Sequence, residues 1–208
     1  MGEVVGLRGW VYNLRSSGKI NFIILRDGTG FVQCVAALGE VDEATFARVG
    51  GLTQESSVTL TGKVREDRRA PGGYEVSITS LDLIAPSAEY PITLKEHGPE
   101  FLLDNRHLWL RTPRQVAVMR LRSSLVKAFR DWLDDHDFIL ADSPILTPSS
   151  CEGTATLFSI DYYGEPAFLS QSGQMYQEAT ALALGKTYCF GPTFRAEKSK
   201  TRRHLMEF

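Results

Sequence analysis

From residue 4 to residue 84 apolar and polar positions mostly alternate, the two-residue period of strands that bury one face. VVGLRGWVYNL (4–14), INFIILRD (20–27) and FVQCVAA (31–37) read as three strands, the last two joined through the turn residues DGTG. EVDEATFARV then changes period, with Val41, Ala44 and Val49 at helix-like spacing. SSVTLTGKVRED (56–67) and YEVSITSLDLI (74–84) return to alternation across the turn RRAPGG. Three strands, a short helix and two strands within about 85 residues is the element order of an OB-fold, a five-stranded barrel that often holds oligonucleotides.

The pattern breaks at residues 86–100, where Pro86, Pro91 and Pro99 punctuate a stretch unsuited to a helix or a central strand. We read it as a linker between a domain at 1–85 and a second at 101–208. In the second, FLLDNRHLWL (101–110) predicts a helix. RQVAVMRLRSSLVKAFRDWLDDHDF (114–138) predicts a longer one with the apolar stripe Val118, Leu121, Leu125, Phe129 and Trp132. ILADSPIL runs extended to Pro144, AFLSQ (167–171) reads as a strand, QMYQEATALAL (174–184) as a helix and YCFGPTFRAE (188–197) as a strand. Helices and strands alternate irregularly, so the expected class is α+β, with a mixed or antiparallel sheet in the second domain.

Composition narrows the picture only a little. The chain has 208 residues, 43% of them hydrophobic and 23% charged, with a net charge of −2. Cys34, Cys151 and Cys189 are odd in number and lack ligand spacing, which argues against a disulfide framework or a zinc site and for a reducing, cytoplasmic setting. The sequence contains no apolar run of membrane-spanning length, and MGEVVGLRGW lacks the layout of a signal peptide. His97, His107 and His136 have no metal-site spacing.

Charge reverses locally in GPTFRAEKSKTRRHLMEF (191–208), which holds five Lys or Arg against two Glu in an acidic chain. If Phe194 to Glu197 is a strand, Arg195 and Glu197 share a face, and His204, Met206 and Phe208 share one on the return. Arg195 offers a planar fork to a phosphate, Glu197 a carboxylate to a divalent cation, and Phe208 a ring for a purine to stack on. Taken alone, the same residues could form a solvated, salt-bridged edge.

FRAEKSKTRRHLMEF resembles motif 2 of the class II aminoacyl-tRNA synthetases, in the form of the asparaginyl members of the aspartyl/asparaginyl/lysyl subgroup. The resemblance covers the chain. The first domain is similar to the subgroup's OB-fold anticodon-binding domain, and the long helix with FILADSPILTPS is similar to motif 1, which implies a homodimer with Pro144 at its interface. The second domain is then part of an antiparallel-sheet catalytic domain. The resemblance implies that Arg195 binds the α-phosphate of ATP, that Glu197 serves Mg²⁺ and the nucleotide, that His204 holds the outer phosphates and that Phe208 stacks on adenine. The family's motif 3 is not among these residues, so the chain alone is expected to be inactive.

SCEGTAT (150–156) and SQSGQMYQEA (170–179) resemble the family's amino-acid pocket, with Glu152, Ser172 and Gln174 around the substrate's α-ammonium group. Read without the family, Glu152 is a solvated loop carboxylate and Ser172 a helix N-cap. Gln177 stands where the aspartyl enzymes carry a Lys. A neutral amide there removes the cation that an aspartate would need, which favours asparagine. In the barrel, Phe22, Gln33 and Glu75 match the anticodon-reading positions, although an aromatic in an apolar strand can equally be core. Arg8, Arg15, Lys19, Arg26, Lys63, Arg65, Arg68 and Arg69 are candidate phosphate partners, and Trp10 is read as barrel packing. The resemblance thus implies an asparagine–tRNA ligase using ATP and tRNA(Asn). The alternatives are an aspartyl enzyme, an asparagine synthetase on the same fold, and a non-catalytic nucleic-acid-binding module.

Overall fold

The computed structural model describes residues 2–93, 95–149, 157–198, 201 and 204–208. The chain divides into two compact units, Met1–Trp109 and Leu110–Phe208.

The first unit contains β1 (Val4–Ser17), β2 (Ile20–Arg26), β3 (Phe31–Ala37), α1 (Glu43–Gly50), β4 (Ser57–Glu66) and β5 (Tyr74–Ala85), the order the alternation predicts. The strands pair in the closed order β1-β2-β3-β5-β4, with β4 returning to β1 along Val4–Trp10. The seam between β3 and β5 is short and parallel, from Gln33 opposite Glu75 to Val35 opposite Ser77. Alternation puts Ile23 and Leu25 of β2, Cys34 and Ala36 of β3 and Val58 and Leu60 of β4 inside, with Val76, Ile78 and Leu81 of β5. Val49 of α1 reaches the same core. That helix starts at Asp42, whose carboxylate accepts from Thr45 N at 2.8 Å and Thr45 Oγ1 at 2.7 Å. Trp10 departs from expectation: it is exposed, on the outer face, with the Arg26 guanidinium 5.0 Å from its ring.

The residues read as a linker belong to the first unit, as do α2 (Pro99–Asp104) and α3 (Arg106–Trp109). These two replace the single helix expected over 101–110. The break is at Asn105, where the backbone leaves helical geometry at φ −103° and ψ 30°.

The second unit holds α4 (Pro113–Asp135), β6 (Ile139–Leu140), β7 (Leu146–Thr147), β8 (Ser159–Tyr162), β9 (Glu165–Leu169), α5 (Gln174–Leu184) and β10 (Thr187–Tyr188). Pro113 pre-sets the first turn of α4. β6 and β10 pair in parallel, and β7, β9 and β8 form an antiparallel sheet, a mixed arrangement as expected. The sequence reading did not include the β8–β9 hairpin. Tyr163 and Gly164 at its tip have φ of 53° and 87°, the two positive values of a type I′ turn. Tyrosine at the first of them disguises a turn that Asn-Gly would announce. The apolar stripe of α4 is exposed: Val118, Leu121, Leu125, Phe129 and Trp132 all remain about half accessible or more.

Candidate functional site

Chemistry-bearing residues of the second unit gather at the hairpin formed by its last residues. Thr193 N donates to Phe208 O at 2.8 Å, Phe208 N donates to Thr193 O at 3.1 Å, and Arg195 N donates to Met206 O at 2.8 Å. With Phe194 opposite Glu207, this register sets Thr193, Arg195, Met206 and Phe208 on one face. The Arg195 guanidinium lies 5.7 Å from the centre of the Phe208 ring. A cation and an aromatic ring are therefore held side by side by backbone pairing alone. The strand expected over 188–197 is reduced to β10 and the bridge at Phe194, because Pro192 has no N–H to continue a ladder. Glu197 and His204 are exposed. Of the loop KSKTRR, only Lys198 and Thr201 are among the described residues. Phe208 also borders a cavity of about 600 Å³ with Met119, Arg122, Arg130 and Phe190, whose lining does not include Arg195.

A hydrogen bond from Phe194 N to Ser170 O, at 2.9 Å, ties this hairpin to the segment after β9. Ser170 and Gln171 are buried there. Together with Thr147, Ser149, Ser172 and Tyr176 they line a small cavity, across which Tyr176 Oη donates to Thr147 Oγ1 at 3.1 Å. The N-cap of α5 is Gly173, not Ser172. A side chain at Gly173 would put its Cβ 2.5 Å from Cys189 Sγ and 2.6 Å from Ser143 Oγ, so any larger residue there requires those two side chains to turn away. Ser172 Oγ sits 3.4 Å from Gln174 N, and Gln174 is exposed. Gln177, one helical turn on, donates from Nε2 to Ala141 O at 2.6 Å. It does not border the Ser170–Tyr176 cavity. Glu152 lies outside the described residues, and Pro144 is exposed.

In the first unit the outer face of the barrel carries two cross-strand rows. Asn13, Ile24, Gln33, Glu75 and Arg65 stand opposite one another in turn, and two residues along so do Arg15, Phe22, Val35, Ser77 and Lys63. Phe22 and Gln33 are thus diagonal neighbours on one face, within reach of an aromatic or long side chain. Phe22 is half-buried on that face and is not in the core cluster, which removes the reading of it as barrel core. The Arg15 guanidinium lies 4.6 Å from its ring centre. Gln33 Nε2 donates to Glu75 Oε2 at 2.7 Å, and Arg65 Nε donates to Glu75 Oε1 at 2.6 Å.

Several expected phosphate partners are engaged within the chain. Arg26 pairs with the buried Glu55 at 2.8 Å, Arg65 with Glu75 and Arg69 with Asp67. The role of Arg65 on this face escaped the sequence reading, which saw it only as one of eight cations. Its signal would have been the β4–β5 register. Gln171 also escaped, a polar residue between two serines whose burial no periodicity marks.

Comparison with known proteins gives the arrangement a context. The family model for class II tRNA synthetases (D, K and N) matches residues 98–208, and that for the OB-fold nucleic acid binding domain matches residues 5–84. An asparagine–tRNA ligase of Pelotomaculum thermopropionicum is 61% identical, over 100% of this chain and 48% of the relative. One from Thermus thermophilus is 56% identical, over 99% and 48%. Among solved structures, asparaginyl-tRNA synthetase from Pyrococcus horikoshii complexed with asparaginyl-adenylate superposes with a TM-score of 0.94 at 45% identity, over 100% of this chain and 48% of that one. The chain spans about half the length of the curated relatives it matches.

Proposed function

The chain belongs to the class II tRNA synthetases of the D, K and N group, and from that premise we propose that its residues serve an asparagine–tRNA ligase. Such an enzyme joins two reactions. A carboxylate oxygen of asparagine attacks the α-phosphorus of ATP, the bond from that phosphorus to the bridging oxygen breaks, and pyrophosphate leaves. A terminal ribose hydroxyl of tRNA(Asn) then attacks the carbonyl carbon of the adenylate and releases AMP. The attacking carboxylate is ionised at neutral pH, so the first step needs positioning and charge neutralisation, not a general base.

The observation that carries this reading is the hydrogen bond from Phe194 to Ser170. It supports a two-substrate site, because it sets the Arg195–Phe208 hairpin against the segment that holds Ser172 and Gln174. Arg195 lays its fork on the α-phosphate as negative charge spreads over it. Phe208 stacks on adenine, and His204 donates to the outer phosphates. Glu197 would hold Mg²⁺, which supplies further charge neutralisation. One exposed carboxylate completed by nucleotide phosphates is a fitting donor set for that ion, and the described residues include no cluster of three His, Cys, Asp or Glu that would form a cage. Glu152, Ser172 and Gln174 surround the α-ammonium group, and the uncharged Gln177 withholds a counter-ion from aspartate.

On the barrel, Phe22 stacks on an anticodon base while Gln33 and Glu75 address its polar edge. The exposed stripe of α4 and Pro144 are the surfaces on which a second copy packs, giving a cytoplasmic homodimer; no helix among the described residues is long and apolar enough to cross a membrane. Pyrophosphate exchange by the enzyme carrying these residues and motif 3 tests the substrate. Asparagine should drive it far better than aspartate, and equal rates would defeat the assignment.

A further inference from the structure

Ser172 precedes α5 and Gln174 begins it, and two consecutive residues further along tie that helix to the rest of its unit. Tyr176 Oη donates to Thr147 Oγ1 at 3.1 Å, and Gln177 Nε2 donates to Ala141 O at 2.6 Å. Successive residues of a helix project about 100° apart, so the two ties hold α5 from different sides. A helix held at one point can turn about it; held at two, it cannot. Thr147 is a fixed point for the first tie. It is buried, its strand β7 is paired with β9, and Ile145 O, just before that strand, accepts from Ser170 N at 2.8 Å. Having accepted the tyrosine proton, the Thr147 hydroxyl can direct its own to Ser149 O, 3.3 Å away. A run of two hydroxyls thus joins α5 to β7 and to the chain that leaves it.

We infer that Tyr176 is a positioning residue for the amino-acid substrate: through its bond to Thr147 it sets α5 so that Ser172 and Gln174 meet the α-ammonium group. The inference rests on the proposed role of those two residues and adds a group outside them. The Tyr176 proton is committed to Thr147, so the residue acts through the helix. Gln174 stands two residues before it, about 3 Å along the axis, and a turn of α5 carries Gln174 with it. The α-ammonium group keeps its charge throughout adenylate formation, because bonds change only at the carboxylate and the α-phosphorus. Loss of the tie therefore weakens the bound substrate and the transition state alike, which raises KM for asparagine and spares kcat.

The test is asparagine-dependent pyrophosphate exchange by the enzyme that carries these residues and motif 3. Tyr176→Phe keeps the ring and deletes only the hydroxyl. It should raise KM for asparagine about fivefold, the worth of one neutral hydrogen bond, and leave kcat and KM for ATP within about twofold. Succinamate, which is asparagine without its α-amino group, should compete equally well in wild type and variant, since it lacks the group that the tie serves. Thr147→Val should reproduce the rise in KM and Thr147→Ser should not. The double variant Tyr176→Phe with Thr147→Val should be no worse than either single one, because all three delete the same bond. A thermal melt of each variant shows that it is folded. If the two single effects multiply in the double variant, or if KM for ATP or the inhibition constant of succinamate moves with that for asparagine, the hydroxyl supports the fold in general and the inference is overturned. An unchanged KM for asparagine in Tyr176→Phe overturns it alone; a wild type whose exchange asparagine does not drive removes the proposed function as well.

Discussion

On the proposed reading two side chains carry separate halves of the function, and each can be removed with a distinct signature. In the proposed reaction Arg195 supplies positive charge where negative charge spreads during adenylate formation, a role with no value in merely holding adenine. In the enzyme that carries these residues and motif 3, Arg195→Ala should lower asparagine-dependent pyrophosphate exchange by about 10²-fold or more, while Arg195→Lys recovers only part because it lacks the planar fork. Phe22→Ala should weaken binding of a cognate RNA loop by about 5- to 150-fold, the worth of one stacked base, and leave exchange nearly unchanged. A large loss of exchange in that variant would make Phe22 a support of the fold. Alternation already placed Arg195 with Glu197 on one strand face and Phe208 with Met206 on another, since period two needs only local sequence, but that the two faces coincide came from the hairpin register. The aim of Gln177 at Ala141 was not legible, because helical spacing fixes an angle about an axis without saying what lies opposite.

At the scale of elements, the barrel was the most readable part of the chain. Each strand buries alternate residues, so its inward set can be written down from the sequence, and Ile23, Val58 and Leu60 are indeed inside. Ile23→Ala should cost about 2–5 kcal/mol of barrel stability, measured by urea unfolding with an unchanged slope. Cys34 reports on the same core. Burial pushes its thiol up to about 12 from an ordinary 9.0, so at pH 8 it should react with a thiol reagent only when the barrel opens, and faster in Ile23→Ala. The sign for stability follows from linkage. Above pH 9 the unfolded chain can ionise Cys34 and the folded chain cannot, so this residue lowers stability progressively from pH 9 towards 12. The β8–β9 hairpin and the break at Asn105 were less readable, because backbone angles decided them where residue type gave little sign.

For the whole molecule the largest unmet demand is the stripe of α4, where Leu121 and Phe129 are 61% and 59% exposed. An amphipathic helix of 23 residues draws most of its stability from covering its apolar face. Sedimentation velocity should show self-association of the chain in solution, and Leu121→Glu with Phe129→Glu should give monomers; a monomeric wild type would count against the dimer. By itself the amino-acid sequence determined the element types and order of the barrel, the inward face of its strands and the positions rich in charge, since all of these depend on short-range period and local propensity. Only the tertiary structure decided which distant residues meet. Gln33 and Glu75 are 42 positions apart, and Arg65 reaches the pair only through the register of β4 on β5. Phe194 finds Ser170 only once β9 has been fitted into its sheet. Lateral pairing is settled by the packing of whole faces against one another, a global balance of buried area and satisfied hydrogen bonds that no local window contains.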